Sequence, residues 1–103
     1  MENELLLHLL APFLDDRGRL TAFPAKRKKK LPALLYLAET FSPGVMYSER
    51  EVNDLLDTWH TFRDPATLRR ELYDYRLLDR RADGSAYWVK TPLPTLPELE
   101  ALL

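Results

Sequence analysis

Three groups of side chains carry chemistry that reaches outside the chain. The first is Lys26-Arg27-Lys28-Lys29-Lys30, five consecutive cations. They open a predicted helix, where like charges repel one another and oppose a helix dipole that favours anions. A bound polyanion relieves that repulsion, and a DNA phosphate backbone is one. The competing reading is a solvated run, paired in space with Glu39 or with Asp15 and Asp16. A nuclear localisation signal has the same composition.

The second group lies on a helix predicted over 65–76. With Leu68, Leu72 and Tyr75 turned inward, its outward face holds Ala66, Thr67, Arg70, Tyr73 and Asp74, with Arg69 and Arg76 on the flanks. Arginine reads guanine edges in a major groove, and Thr67 and Tyr73 can bind phosphate. Glu71 and Asp74 face or flank the same surface. Internal pairing is the alternative: Arg70 with Asp74 at i, i+4, or Arg69 with Glu49 or Glu51 of the preceding helix. One of Arg69 and Arg70 is expected to be structural, and the sequence does not say which. The third group is a hairpin with Arg80 and Arg81 before its turn and Tyr87 and Lys90 after it. Trp88 and Trp59 are assigned to the core, since buried aromatics outnumber stacking platforms.

Catalytic chemistry finds no constellation. There are no cysteines, which excludes disulfides, thiolate metal sites and cysteine nucleophiles. His8 and His60 are the two histidines; they sit in different elements without metal-ligand spacing, and each is expected to be a surface or packing residue. The three glycines all fall in turn signals, so no phosphate-cradling loop exists. Ser42, Ser48 and Ser85 occupy turn or cap positions with no histidine base nearby in sequence. Asp15-Asp16 is a carboxylate pair in a turn. The expectation is a non-enzyme with no cofactor and no metal site.

Charge distribution supports the binding reading more than net charge does. The chain of 103 residues has a formal charge of −1. Residues 17–30 nevertheless hold seven bases and no acid, and residues 58–90 seven bases against five acids. Apolar residues make up 46%, enough for one core, so a single domain is expected over 1–103. The longest clean apolar stretch, near 31–38, is far shorter than the ~20 residues of a membrane span. Met1-Glu2-Asn3-Glu4 lacks the basic start of a secretory signal. A cytoplasmic location without membrane contact is expected.

The elements that must position these groups follow from periodicity. Leu6, Leu9, Leu10 and Phe13 predict an amphipathic helix within 1–16. Asp15 to Arg19 is a turn, and Leu20 to Phe23 a short extended piece. Leu31, Leu34, Leu35, Ala38 and Phe41 predict a helix in 26–41. Pro32 places its regular start near 31, or a kink there. Val45 to Tyr47 is a very short strand candidate. Ser48 and Glu51 form a capping box for a helix with Val52, Leu55, Leu56 and Trp59 inward. Asp64-Pro65 starts the 65–76 helix. Strands at 77–81 and 86–90 flank an Asp83-Gly84 hairpin turn. Residues 91–103 form a proline-rich tail in which Thr95 and Glu98 cap a short last helix.

This order predicts an α+β, mostly helical fold. It is a winged helix-turn-helix core over 17–90, with a small antiparallel hairpin as the wing and helical segments flanking it. Four blocks also carry a family resemblance: FPAKRKKK at 23–30, YSEREVN at 47–53, DPATLRRELYDYRLLDR at 64–80 and DGSAYW at 83–88. In order and spacing they resemble a bacterial family catalogued as domain of unknown function 2087. That family occurs as small stand-alone proteins and fused to helix-turn-helix regulators. The resemblance implies the fold and a regulatory setting, carries over no catalytic residue, and argues against a nuclear signal. Pro32 and the proline-rich tail depart from its usual pattern.

The expected function is a small DNA-binding protein, a transcriptional regulator or accessory, acting on double-stranded DNA. Phosphate contacts come from residues 26–30 and the wing, base contacts from the 65–76 helix. The alternative is a protein-interaction module of the same fold, and a third reading is RNA binding. The apolar terminal segments, with Leu6, Leu9, Leu10 and Phe13 at one end and Leu96, Leu99, Leu102 and Leu103 at the other, either cover the core or form a dimer interface, and a homodimer is expected.

Overall fold

The structure is a computed structural model that describes residues 2–102. Helix α1 spans Glu2–Leu10 and runs into a 3-10 turn at Ala11–Phe13. Leu6 and Leu10 are buried, while Leu9 and Phe13 pack at the core edge. The helical segment stops short of residue 16 because Leu14 turns extended and bridges Leu20. Between them Asp15 organises a tight loop. Its carboxylate accepts from the Arg17 N–H at 3.0 Å, the Arg19 N–H at 2.8 Å and Arg19 Nε at 2.8 Å. The Arg19 backbone bond leads in holding the Asp15 carboxyl below its ordinary value.

Helix α2 spans Arg27–Ala38 and carries Pro32 in its interior. A regular start near 31 is therefore corrected. The Lys29 and Lys30 amides both bond the Lys26 carbonyl, at 3.0 and 2.9 Å, so the first turn closes ahead of the proline. Pro32 has no N–H for the Lys28 carbonyl, at a cost of about 3 kcal/mol. Burial outweighs it. Every residue from Leu31 to Ala38 is buried, and each fully buried leucine contributes roughly 1.5–3 kcal/mol. A helix apolar on all sides is a central helix. It ends at Ala38, short of Phe41, and Gly44 with φ +78° completes the turn.

Helix α3, Glu49–Thr58, starts at the expected capping box: the Glu51 N–H donates to Ser48 Oγ at 3.1 Å and the Ser48 N–H to Glu51 Oε1 at 2.8 Å. Helix α4, Pro65–Asp74, has Asp64 as its cap, accepting from the Thr67 N–H at 3.2 Å. It ends in a Schellman motif two residues before 76, with Leu77 N–H on the Leu72 carbonyl and Arg76 N–H on that of Tyr73, both 2.9 Å. The left-handed position there, where glycine is usual, is filled by Arg76 at φ +62°.

Strands β1, Leu78–Arg80, and β2, Tyr87–Val89, pair antiparallel with Leu78 opposite Val89 and Arg80 opposite Tyr87. Their loop closes through Arg81 N–H on the Ala86 carbonyl at 3.0 Å. The Val45–Tyr47 strand reduces to one bridge, Tyr47 with Tyr87. Helix α5, Leu96–Ala101, begins at a Thr95–Glu98 capping box and buries Leu96 and Leu99. The architecture is α+β: α2, α3, α4 and the hairpin form a winged-helix core, with α1 and α5 packed beside it. No described helix is long and apolar enough to cross a membrane.

Candidate functional site

The basic run divides into cations the protein uses and cations it leaves free. Arg27 Nη2 donates to the Glu100 carbonyl of α5 at 3.0 Å. Lys29 Nζ donates to the Leu9 carbonyl of α1 at 3.0 Å. Both acceptors belong to the last turn of a helix, where unsatisfied carbonyls favour a cation. Lys30 Nζ pairs with Glu71 of α4 at 2.8 Å and lies 5.5 Å from the centre of the Phe23 ring. Lys26 and Lys28 are exposed, and among the described residues their side chains make no bond. The sequence weighed Glu39, Asp15 and Asp16 as partners; Asp15 is occupied by Arg19. Glu71, an acid counted against phosphate contact, is neutralised by Lys30.

On α4 the structure separates the two arginines. Arg69 joins α3, bonding Asn53 Oδ1 and lying 3.7 Å from Glu49, with a side chain 19% exposed. Arg70 is 82% exposed, and among the described residues its one partner is Asp74, at i, i+4 and 3.8 Å. Arg69 is thus the structural one. Glu71 and Arg69 each lie about 100° around the helix from Arg70, on opposite flanks. The basic run therefore abuts one flank of α4 and α3 the other. Thr67, Arg70, Tyr73 and Asp74 face outward and are exposed, as expected.

Tyr73 links this face to the wing. The Arg80 guanidinium lies 5.1 Å over the Tyr73 ring. Hydrogen bonds with the Tyr87 and then the Tyr73 phenol oxygens raise the Arg80 pKa further. Arg81 is exposed at the hairpin turn. Beyond Tyr73, a groove of 740 Å³ opens between the end of α4 and the outer face of the hairpin. Arg76 and Lys90 line it, rather than the outward face of α4.

The chain matches, over residues 19–89, a bacterial family described as "Uncharacterized protein conserved in bacteria (DUF2087)". It belongs to this family. No curated protein and no solved structure matches it. The DUF2087 region holds the whole winged-helix core and every candidate contact residue except Lys90, one position beyond. Helices α1 and α5 lie outside it, yet they supply the carbonyls that hold Lys29 and Arg27.

One placement differs from the sequence reading. Trp88 is not a core residue. β2 buries Tyr87 and Val89 on its inner face, so the alternation of a strand turns Trp88 outward into the groove. Trp59, at the end of α3, packs half-buried against Tyr36, ring centres 6.3 Å apart. His60, read as a surface or packing residue, is the latter: it is buried and structural. Its Nδ1 lies 2.6 Å from the Leu56 carbonyl and its Nε2 accepts the Asp64 N–H at 2.9 Å. One ring therefore ties the last turn of α3 to the cap of α4. Its spacing of four residues from each partner was the available signal. Among the described residues no group of His, Asp or Glu is placed to hold a metal ion.

Proposed function

We propose that this chain binds double-stranded DNA through α4 and the wing, as a transcriptional regulator or an accessory to one. One observation carries the reading: the Arg80 guanidinium stacked on Tyr73 makes the outward face of α4 and the hairpin one surface. Thr67, Arg70, Tyr73, Arg80 and Arg81 are all exposed on it. Arg70 exchanges its loose Asp74 partner for a guanine edge or phosphate. Arg81 and the free Lys26 and Lys28 meet phosphates, while Arg27 and Lys29 hold the ends of α5 and α1 and Lys30 pairs with Glu71.

The test is fluorescence anisotropy of a random-sequence duplex across a salt series. The expected dissociation constant is micromolar and weakens steeply with salt, and Arg70→Ala with Arg81→Ala lowers the log–log slope by about 2. Absence of binding at low salt refutes the proposal. It would favour the rival reading, a protein-interaction module, on which Asp74 and Asp79 beside α4 are contacts instead of obstacles. The proposal includes a homodimer through the exposed Leu5, Leu7 and Leu102; a monomeric mass by light scattering removes that part.

A further inference from the structure

The groove beside α4 has a chemistry of its own. Its apolar wall is Met46, Tyr73 and Trp88, with Met46 50% exposed and Tyr73 41%. A flexible thioether and two aromatic faces suit a flat apolar body. The volume, 740 Å³, falls in the range of about 300–1,000 Å³ typical of small-molecule sites.

The charges around it are unequal in availability. Asp79 Oδ1 accepts the Arg80 N–H at 2.8 Å, and Asp74 faces Arg70 at 3.8 Å. Arg76 and Lys90 have no side-chain partner among the described residues. With Asp74 offset by Arg70 and Asp79 still charged beside a neutral amide, Arg76 and Lys90 leave the lining with a positive balance of one charge, which suits a monoanion better than a polyanion. Arg76 also stands at φ +62°, where glycine would remove about 1–2 kcal/mol of strain. An arginine at that position costs stability and places a guanidinium at the groove.

We propose that this groove binds a small aromatic carboxylate, its ring against Trp88 and Met46 and its carboxylate held by Arg76 and Lys90. An arginine matches a carboxylate bidentately, and a neighbouring lysine adds a point charge. The inference does not depend on DNA binding, because the ligand meets the protein alone.

The probe is 1-naphthoate, titrated to about 10 mM and followed by the two tryptophan indole N–H signals in NMR. The expected result is a saturable shift of Trp88 with Trp59 unmoved. Arg76→Gly, which suits the backbone, and Lys90→Gln each weaken binding about tenfold. Neutral 1-naphthylmethanol binds weaker than the acid by a similar factor. The proposal is overturned by any of three results: no saturable Trp88 shift, equal shifts at both tryptophans, or equal affinity for the acid and the alcohol. Unchanged affinity in both variants overturns the assignment of the carboxylate to Arg76 and Lys90.

Discussion

Replacing Lys30 by methionine separates the structural half of the basic run from the free half. The change keeps the apolar stem and removes the charge. Lys30 Nζ stands 2.8 Å from Glu71, with the two side chains 23% and 21% exposed. Fully exposed pairs contribute about 0.2–1 kcal/mol, and hydrogen bonds to charged groups roughly 1.5–3. A pair of intermediate burial falls between, near 1–1.5 kcal/mol. The cation over Phe23 adds about 0.5 kcal/mol. Lys30→Met should then lose about 2 kcal/mol, or about 10 °C in Tm for a domain of this size. Lys28→Met, at an exposed position without a partner, should stay within about 0.5 kcal/mol of wild type.

Urea unfolding of wild type, Lys30→Met, Glu71→Gln and the double variant measures the pair directly. A coupling of about 1 kcal/mol is expected. The Glu71 hydrogen bond raises the Lys30 pKa above its ordinary 10.5. This contribution is fully present below 10.5 and is lost only as pH rises through the higher folded value, so neutral pH samples all of it. Equal stability of Lys30→Met and Lys28→Met, or a coupling below about 0.3 kcal/mol, would refute the division of the run.

Acid should act through four carboxylates. Asp15 is lowered chiefly by the Arg19 backbone bond, Asp64 by its hydrogen bond with the Thr67 side chain, Asp83 by the Ser85 N–H and Glu98 by the Thr95 N–H. Folded values below unfolded ones give stability that is present above about pH 4.5 and lost as pH falls through the folded values. The urea midpoint should hold from pH 7 to about 5 and then drop, and Asp15→Asn should shrink that drop. Arg76→Val, a β-branched residue at positive φ, should cost about 1–2 kcal/mol in urea unfolding, whereas Arg76→Gly should stabilise by about 1 kcal/mol. Ser48→Ala removes one half of a capping box and should cost about 1 kcal/mol by the same measurement.

The features legible in the sequence are those set by neighbours along the chain. Ser48 with Glu51, Asp64 with Pro65, and Thr95 with Glu98 are local codes, and each starts a helix where expected. The Arg70–Asp74 pair follows from helix geometry alone. Pro32 misled because its cost is local whereas the burial of Leu31 to Ala38 on all sides is tertiary. The basic run misled in the same way. Its partners at Leu9, Glu71 and Glu100 come from three elements distant in sequence. Trp88 follows strand alternation, but which face is inner depends on what packs there, and aromatic type favoured the wrong one.

The pairing of Leu20 bears on how the molecule moves. Its N–H donates to the Trp59 carbonyl and its carbonyl accepts the Thr61 N–H, both at 2.9 Å. The turn between α3 and α4 is therefore a rung of ladder, closed by a residue far earlier in the chain. Phe13 and Leu14 extend that ladder from outside the family-matched region. In hydrogen exchange the Leu20 and Thr61 amides should open together as one cooperative unit. Residues 13–21 thus clamp the α3–α4 turn by backbone bonds, so a change in the angle between these helices has to break or carry along the N-terminal segment.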